Sequence, residues 1–501
     1  MPRVSRLLAA VAAVALLSGC ASAPASSHQS GAPAGFEAIY EQQAFWNPCT
    51  DNPGFDCTTV SAPVDWSNPD SDRIQLAVIR QESTNTTKGS LLTNPGGPGA
   101  SGFDFVAYGY AVTPAAKADY DVIGWDPRGV GRSSRVTCFT DGRQNDELFY
   151  DGTDDGSSQW LDELAVKEKA YADACEANTG ELLAHMDTAS NARDMDLIRA
   201  VLDSDKLNYV GYSYGSFLGT VYAQLFPQNV GAMVLDGPYD PTLVGFELFK
   251  GQMVGYDLAF RSYLETCLQN DGCPFTGTLD EAATQARELI AGTDDSALVA
   301  NDGRVLDSAT LGVAIAFELF APAYWEALST LLSAVQVGDP EPAFAAADSG
   351  WGRYGDGSYG NGIDVYTAVS CADGGLVGDS VSVQEHLTDI AAAAPIVGAF
   401  YARADYARVA EACAQWAVPP ATLPTSWSAD GAPTILIVGS TRDPATPYVW
   451  AQALVTELSS AALITRNGDG HTGYNKSDTC VDSAVDAFLL EGVAPASDPN
   501  C

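Results

Sequence analysis

A chain of 501 residues with 46% apolar and 18% charged residues can bury one large core or several ordinary ones. It carries 64 acidic residues against 25 basic ones, a formal net charge of −39. That balance repels phosphate backbones and speaks against nucleic acid as a partner, and the acidic excess reads as a surface tuned for solubility.

The first predicted element is a targeting segment. Arg3 and Arg6 precede an apolar run, Leu7 to Leu17, that is too short to span a bilayer as a mature helix. The run ends in Leu17-Ser18-Gly19-Cys20, which resembles a bacterial lipobox. The resemblance implies a signal peptide over residues 1–20, with Cys20 lipidated as the first residue of the mature chain. An ordinary signal peptide cut near Ala21-Ser22-Ala23 is the alternative. Of the 11 cysteines, ten remain once Cys20 is set aside, an even number as expected for disulfides in an exported chain. Sequence does not determine their connectivity. Pairing sequence neighbours gives Cys49–Cys57, Cys138–Cys175, Cys267–Cys273, Cys371–Cys413 and Cys480–Cys501. No Cys-x-x-Cys pair or His/Cys cluster suggests a metal, so neither metal nor organic cofactor is expected. Residues 21–35, rich in Ala, Ser, Pro and Gly, read as a flexible tether. The expectation is a monomer exported to the cell surface, touching the outer face of the membrane only through its N-terminal lipid, or secreted outright.

A βα alternation follows. Strands are predicted at Arg73 to Arg80, Ser90 to Thr93, Tyr120 to Trp125, Leu207 to Gly211 and Gly231 to Asp236, with helices at Ala189 to Leu202 and Phe217 to Phe226. Pro241 to Thr425 is Ala-rich and largely helical, and strands return at Thr434 to Val438 and Ala461 to Thr465. This implies an α/β fold with a mostly parallel central sheet. A large, mainly helical cap is inserted between the sixth and seventh core strands. The boundaries are core at 36–240, cap at 241–425 and core again at 426–501. Insertions of this kind cover sites at the C-terminal strand ends.

Gly211-Tyr212-Ser213-Tyr214-Gly215 lies between a predicted strand and a predicted helix. That is the setting in which a Gly-x-Ser-x-Gly serine stands on a strained elbow as a nucleophile. A serine hydroxyl needs a base. The chain has four histidines: His28 in the tether, His185 before a helix, His386 in the cap, and His471 in a Gly-rich loop after the last strand. His471 is the expected base. The orienting acid should follow the preceding strand, which selects Asp443 over Asp469, two residues from His471. An oxyanion hole needs two N–H donors. Tyr214 supplies one, and Asn94-Pro95-Gly96-Gly97-Pro98-Gly99-Ala100-Ser101-Gly102 supplies the other, from Gly97 with Gly96 in reserve.

These segments, with Trp125-Asp126-Pro127-Arg128-Gly129-Val130-Gly131-Arg132-Ser133, resemble the prolyl aminopeptidase group of α/β-hydrolases. The chain is more similar still to secreted bacterial tripeptidyl aminopeptidase-like serine proteases. Asn94-Pro95 stands where prolyl aminopeptidases usually carry a His, and Thr188 to Arg199, Val234 to Gly237, Cys371-Ala372-Asp373 and Asp443 to Pro447 are similar to the tripeptidyl type. The likeness runs from Trp46 to Cys480. It implies the α/β-hydrolase fold and release of short peptides, tripeptides foremost, from peptides with a free amino terminus. An aminopeptidase must hold an ammonium group, for which a carboxylate at a fixed distance from Ser213 is suited. Asp373 and Asp236 are the candidates, Asp236 with a buried structural role as its alternative. Asp126 and Arg128 are expected to pair or cap near the oxyanion loop. The rivals are a carboxylesterase or lipase with the same triad, since fold does not decide substrate, and a non-catalytic surface binding lipoprotein. An apolar stripe in the cap would favour an esterase. Only dispersed aromatics such as Tyr324, Trp325 and Trp351 are found there.

Overall fold

A computed structural model describes residues 31–501 apart from 151, 153, 155, 297, 375 and 377–379. The expected leader with its Cys20, and His28, lie outside the described residues.

Nine strands form one sheet: β1 (Asn47–Pro48), β2 (Asp56–Pro63), β3 (Arg73–Gln81), β4 (Ser90–Asn94), β5 (Asp121–Trp125), β6 (Leu207–Tyr212), β7 (Val230–Asp236), β8 (Ile435–Arg442) and β9 (Ala461–Asp469). Their spatial order is β1-β2-β3-β5-β4-β6-β7-β8-β9. β1, β2 and β3 pair antiparallel, as does β3 with β5, and every pairing from β5 to β9 is parallel. The interior strands read as unbroken apolar runs because both faces are covered. Ile435, Leu436, Ile437 and Val438 of β8 are all buried. Two cores result. One joins Tyr209, Leu218 and Val221 to the cap, and the other joins Phe103, Val122 and Phe488 on the opposite face.

The predicted strands all form. β2 is the addition, and it pairs with β3 along its whole length. Leaving aside the two-residue β1, six strands precede the insertion, so the cap enters between the sixth and seventh. It holds nine helices among the described residues, from Phe246–Cys267 to Arg408–Ala414, and a two-stranded hairpin. A second helical excursion, Gly142–Phe149 and Ser158–Thr179, leaves the sheet between β5 and β6. It packs on the cap through a buried ion pair, Glu168–Arg408 at 3.1 Å, and a partly exposed one, Asp146–Arg353 at 2.8 Å. The roof over the sheet therefore comes from two insertions, not one. The structure joins the five sequence-neighbour cysteine pairs.

Arg128 departs from its expected place beside the oxyanion loop. It is fully buried and grips Asp194 in the helix Thr188–Val201 through Nε and Nη2, both at 2.8 Å. Its remaining donors reach the carbonyls of Val64, His185 and Pro63. Removing one member of a buried pair strands the other charge. Arg128→Met is expected to lower unfolding free energy by about 3–5 kcal/mol in denaturant titration, with part recovered by adding Asp194→Leu. A single-variant loss below about 1 kcal/mol would show the pair to be dispensable.

Candidate active site

Ser213 stands between β6 and the helix α1 (Tyr214–Leu225), with φ 56° and ψ −126°. A non-glycine residue held there stores roughly 1–3 kcal/mol of strain. Close approach of the flanking backbone fixes its neighbours as glycine. A Cβ on Gly211 would lie 2.3 Å from the Gly215 carbonyl oxygen, and one on Gly215 would lie 2.6 Å from that of Asn94. The Ser213 N–H donates to the Asp236 carbonyl at 2.9 Å, which pins the elbow to the end of β7.

His471 lies two residues past β9. Its Nδ1 faces Asp443, at 2.8 Å from Oδ1 and 3.0 Å from Oδ2. Asp443 is buried just after β8 and also accepts the N–H groups of Ala445, Thr446 and Thr472 at 2.9–3.0 Å. A carboxylate so held keeps the imidazole proton on Nδ1 and leaves Nε2 as the acceptor. Nε2 is buried and makes no hydrogen bond among the described residues. The cap holds His471 as well. The His471 N–H donates to the Phe320 carbonyl at 2.8 Å, and the two rings meet edge to face at 5.2 Å.

Two candidate donors lie beside Ser213, the next residue in the chain and Gly97 across the cavity wall. The Tyr214 N–H opens a helix, where no carbonyl lies one turn back to accept it. In the Gly-rich loop, Gly96 donates its N–H to Asn94 Oδ1 at 2.9 Å, which spends it, whereas Gly97 lines the cavity with Ser213. The Asn94 side chain thus occupies the N–H of Gly96, the reserve candidate. Asp126 braces the far end of that loop, accepting from Ser101 Oγ, Phe103 N at 3.3 Å and Arg132 N at 2.8 Å.

The other histidines and the rival acid have different work. His185 lies 3.8 Å from Asp65, and His386 stacks on Phe246 with its Nδ1 on the Tyr406 hydroxyl. Asp469 is bound by Arg442 at 2.7 Å. Both amine-binding candidates are redirected. Asp236, fully buried, accepts the N–H groups of Gly473 and Tyr474 at 2.8–3.0 Å and so supports the His471 loop. Burial pushes its carboxyl up to about 6. Asp373 accepts from the N–H of Thr188 at 2.7 Å and from its hydroxyl at 2.6 Å, so both of its oxygens are engaged. It lines an adjoining pocket with Tyr214 and Pro98, which shares Tyr239, Gln252 and Tyr366 with the cavity of Ser213.

That cavity measures about 320 Å³. Gly97, Ser213, Tyr239 and Ala445 line it from the core, and Phe317, Trp351, Tyr366 and Asp405 from the cap. Of the aromatics singled out in the sequence only Trp351 reaches it. Asp405 escaped notice altogether: it lies in a π-helical turn, Arg403–Ala407, whose five-residue step has no sequence signature. Burial pushes its carboxyl up to about 6.

A TAP-like protein family model matches residues 399–501, and an α/β-hydrolase fold model matches residues 89–327. Serine protease Hip1 of Mycobacterium tuberculosis is 33% identical over 100% of this chain and 98% of its own length. Tripeptidyl aminopeptidase of Streptomyces lividans is 33% identical over 89% of this chain and 83% of its own. A Mycobacterium tuberculosis protein named carboxylesterase B is 34% identical over 97% of this chain and 94% of its own. No helix among the described residues is long and apolar enough to cross a membrane.

Proposed function

The chain belongs to the TAP-like serine peptidases of the α/β-hydrolase family, and we propose that it is an exported aminopeptidase that releases short peptides, tripeptides foremost, from free N-termini. Ser213, His471 and Asp443 form its triad, and Gly97 and Tyr214 its oxyanion hole. The observation that carries this reading is the strained Ser213 opening into a cavity that the cap roofs, with Phe320 joining that roof to the Asp443-bound His471. A space of about 320 Å³ suits a few residues at a chain end and excludes a folded polypeptide.

In this scheme His471 Nε2 takes the Ser213 proton as Oγ attacks the scissile carbonyl. The Gly97 and Tyr214 N–H groups hold the oxyanion. His471 then protonates the leaving amine, whose departure gives the acyl-enzyme, and water enters along the same path to free the peptide. Export is supported by the leader that ends at Cys20 and by five disulfides, which persist in oxidising compartments. Lipidation of Cys20 would tether the enzyme to the outer face of the membrane.

The esterase reading draws on the aromatic lining of the cavity, which would accept an apolar acyl group. A rate comparison separates the two. Mono-, di- and tripeptidyl anilides with free amino termini are measured beside their N-acetylated forms and a simple acyl ester. The free tripeptidyl amide is expected to lead, with kcat/KM at least about tenfold above its acetylated form, in line with a buried charged hydrogen bond. Equal rates on free and acetylated amides would remove the aminopeptidase assignment.

A further inference from the structure

Several buried carboxylates of the cap, Asp257, Asp307 and Asp405 among them, make no ion pair among the described residues, and of these Asp405 lines the Ser213 cavity. Within the π-turn and just after it, Arg403 is taken by Asp154 at 3.2 Å and Asp294 at 3.3 Å, and Arg408 by Glu168 at 3.1 Å. Asp405, between them in sequence and 7% exposed, has no cationic partner within ion-pairing distance among the described residues. Its one hydrogen bond to a side chain is accepted from the Tyr366 hydroxyl at 3.0 Å. Among the described residues that line the Ser213 cavity, it is the one acidic side chain, and none is cationic. A carboxylate removed from water without a counter-ion is costly, and burial accordingly raises its pKa.

We infer that Asp405 is the anchor for the substrate's terminal ammonium group, held in position by Tyr366. This rests on the aminopeptidase reading above and assigns the role first sought in Asp373 and Asp236. The placement has a further consequence. Asp405 belongs to the cap and Ser213 to the core, so the span between them is set by how the two are packed together. An extended chain advances about 3.3–3.6 Å per residue. A fixed span therefore counts residues, and a peptide one residue shorter or longer loses either the ammonium contact or the alignment of its carbonyl with Ser213. The disulfide Cys371–Cys413 joins the helices on either side of this arrangement, Gly362–Asp373 with Tyr366 and Arg408–Ala414 after the π-turn.

The test compares the ratio of kcat/KM on a free tripeptidyl anilide to that on its N-acetylated form, each measured on the same preparation. The fraction of folded enzyme cancels in that ratio. Asp405→Asn is expected to lower it roughly 10- to 100-fold, mainly through KM, and to flatten the dependence on peptide length. Tyr366→Phe, which keeps the ring, is expected to lower it a few-fold and covers the case in which the Asn variant does not fold. Asp373→Asn should keep the parental ratio. A parental ratio in Asp405→Asn, or in Tyr366→Phe where the Asn variant cannot be made, overturns the anchor. A collapse in Asp373→Asn alone moves it there. A ratio near one in the unaltered enzyme removes the aminopeptidase reading itself, which is a separate failure.

Discussion

Ser213→Ala is expected to lower kcat on the tripeptidyl anilide by roughly five to six orders of magnitude, the scale seen when a triad serine is lost. What remains should come from the oxyanion donors and from binding alone. The fold should survive. Alanine has the same Cβ as serine, so at φ 56° it meets the same backbone strain and no new clash. The Ser213 contacts that hold the elbow are main-chain ones: its N–H to Asp236, and its carbonyl accepting the N–H and hydroxyl of Ser216. The thermal midpoint should therefore stay within a few degrees of the parent, which corresponds to about 1 kcal/mol or less. Ser216 is the nearest rival nucleophile, but it is fully buried and its hydroxyl is spent on the Ser213 carbonyl. Substantial turnover by the alanine variant, with contaminating enzyme excluded by active-site labelling, would relocate the nucleophile and with it the whole mechanism.

The parts of this site that could be read in the sequence are those written locally. Ser213 is announced by its own pentapeptide. His471 and Asp443 follow from strand order, because β8 and β9 are strong apolar runs and each residue lies a short step beyond one. Gly97 was legible as part of a Gly-rich loop, whereas its preference over Gly96 depends on where the Asn94 side chain turns. The unread parts depend on partners far away in the chain. β2 carries Thr58, Thr59 and Ser61 among its few apolar residues, and its strand character comes from pairing with β3. Arg128 and Asp194 lie 66 residues apart, and nothing near either predicts the pair. The helix Ser158–Thr179 buries Leu161, Leu164 and Tyr171 against the cap but is dotted with charge, so its period is faint. Asp405 is the extreme case. A carboxylate beside Arg403 and Arg408 reads as an ordinary surface charge until those arginines are seen to pair elsewhere.

The same distinction between local and distant determinants governs the second large effect, Asp443→Asn. Its kcat is expected to fall about 10⁴-fold, the loss that follows when a triad aspartate becomes an amide and the imidazole takes the wrong tautomer. An Asn amide group can donate to Nδ1, which drives the proton to Nε2, the atom that must be free to accept from Ser213. Stability should fall by about 1–3 kcal/mol as well, because the three backbone N–H groups of Ala445, Thr446 and Thr472 lose a charged acceptor. Asp469→Asn supplies the contrast. That carboxylate is tied to Arg442, and its loss should change kcat by less than about threefold, as for a partly exposed ion pair. Stopped-assay kcat values for the two variants, each corrected for folded fraction, decide between the acids. Equal losses would mean that the loop carrying His471 needs both carboxylates for its shape. A loss confined to Asp469→Asn would reverse the assignment and place the orienting acid on the loop of the base itself. The 2.8 Å approach of Asp443 to Nδ1, with the Phe320 carbonyl fixing the loop from the cap side, is the reason to expect neither.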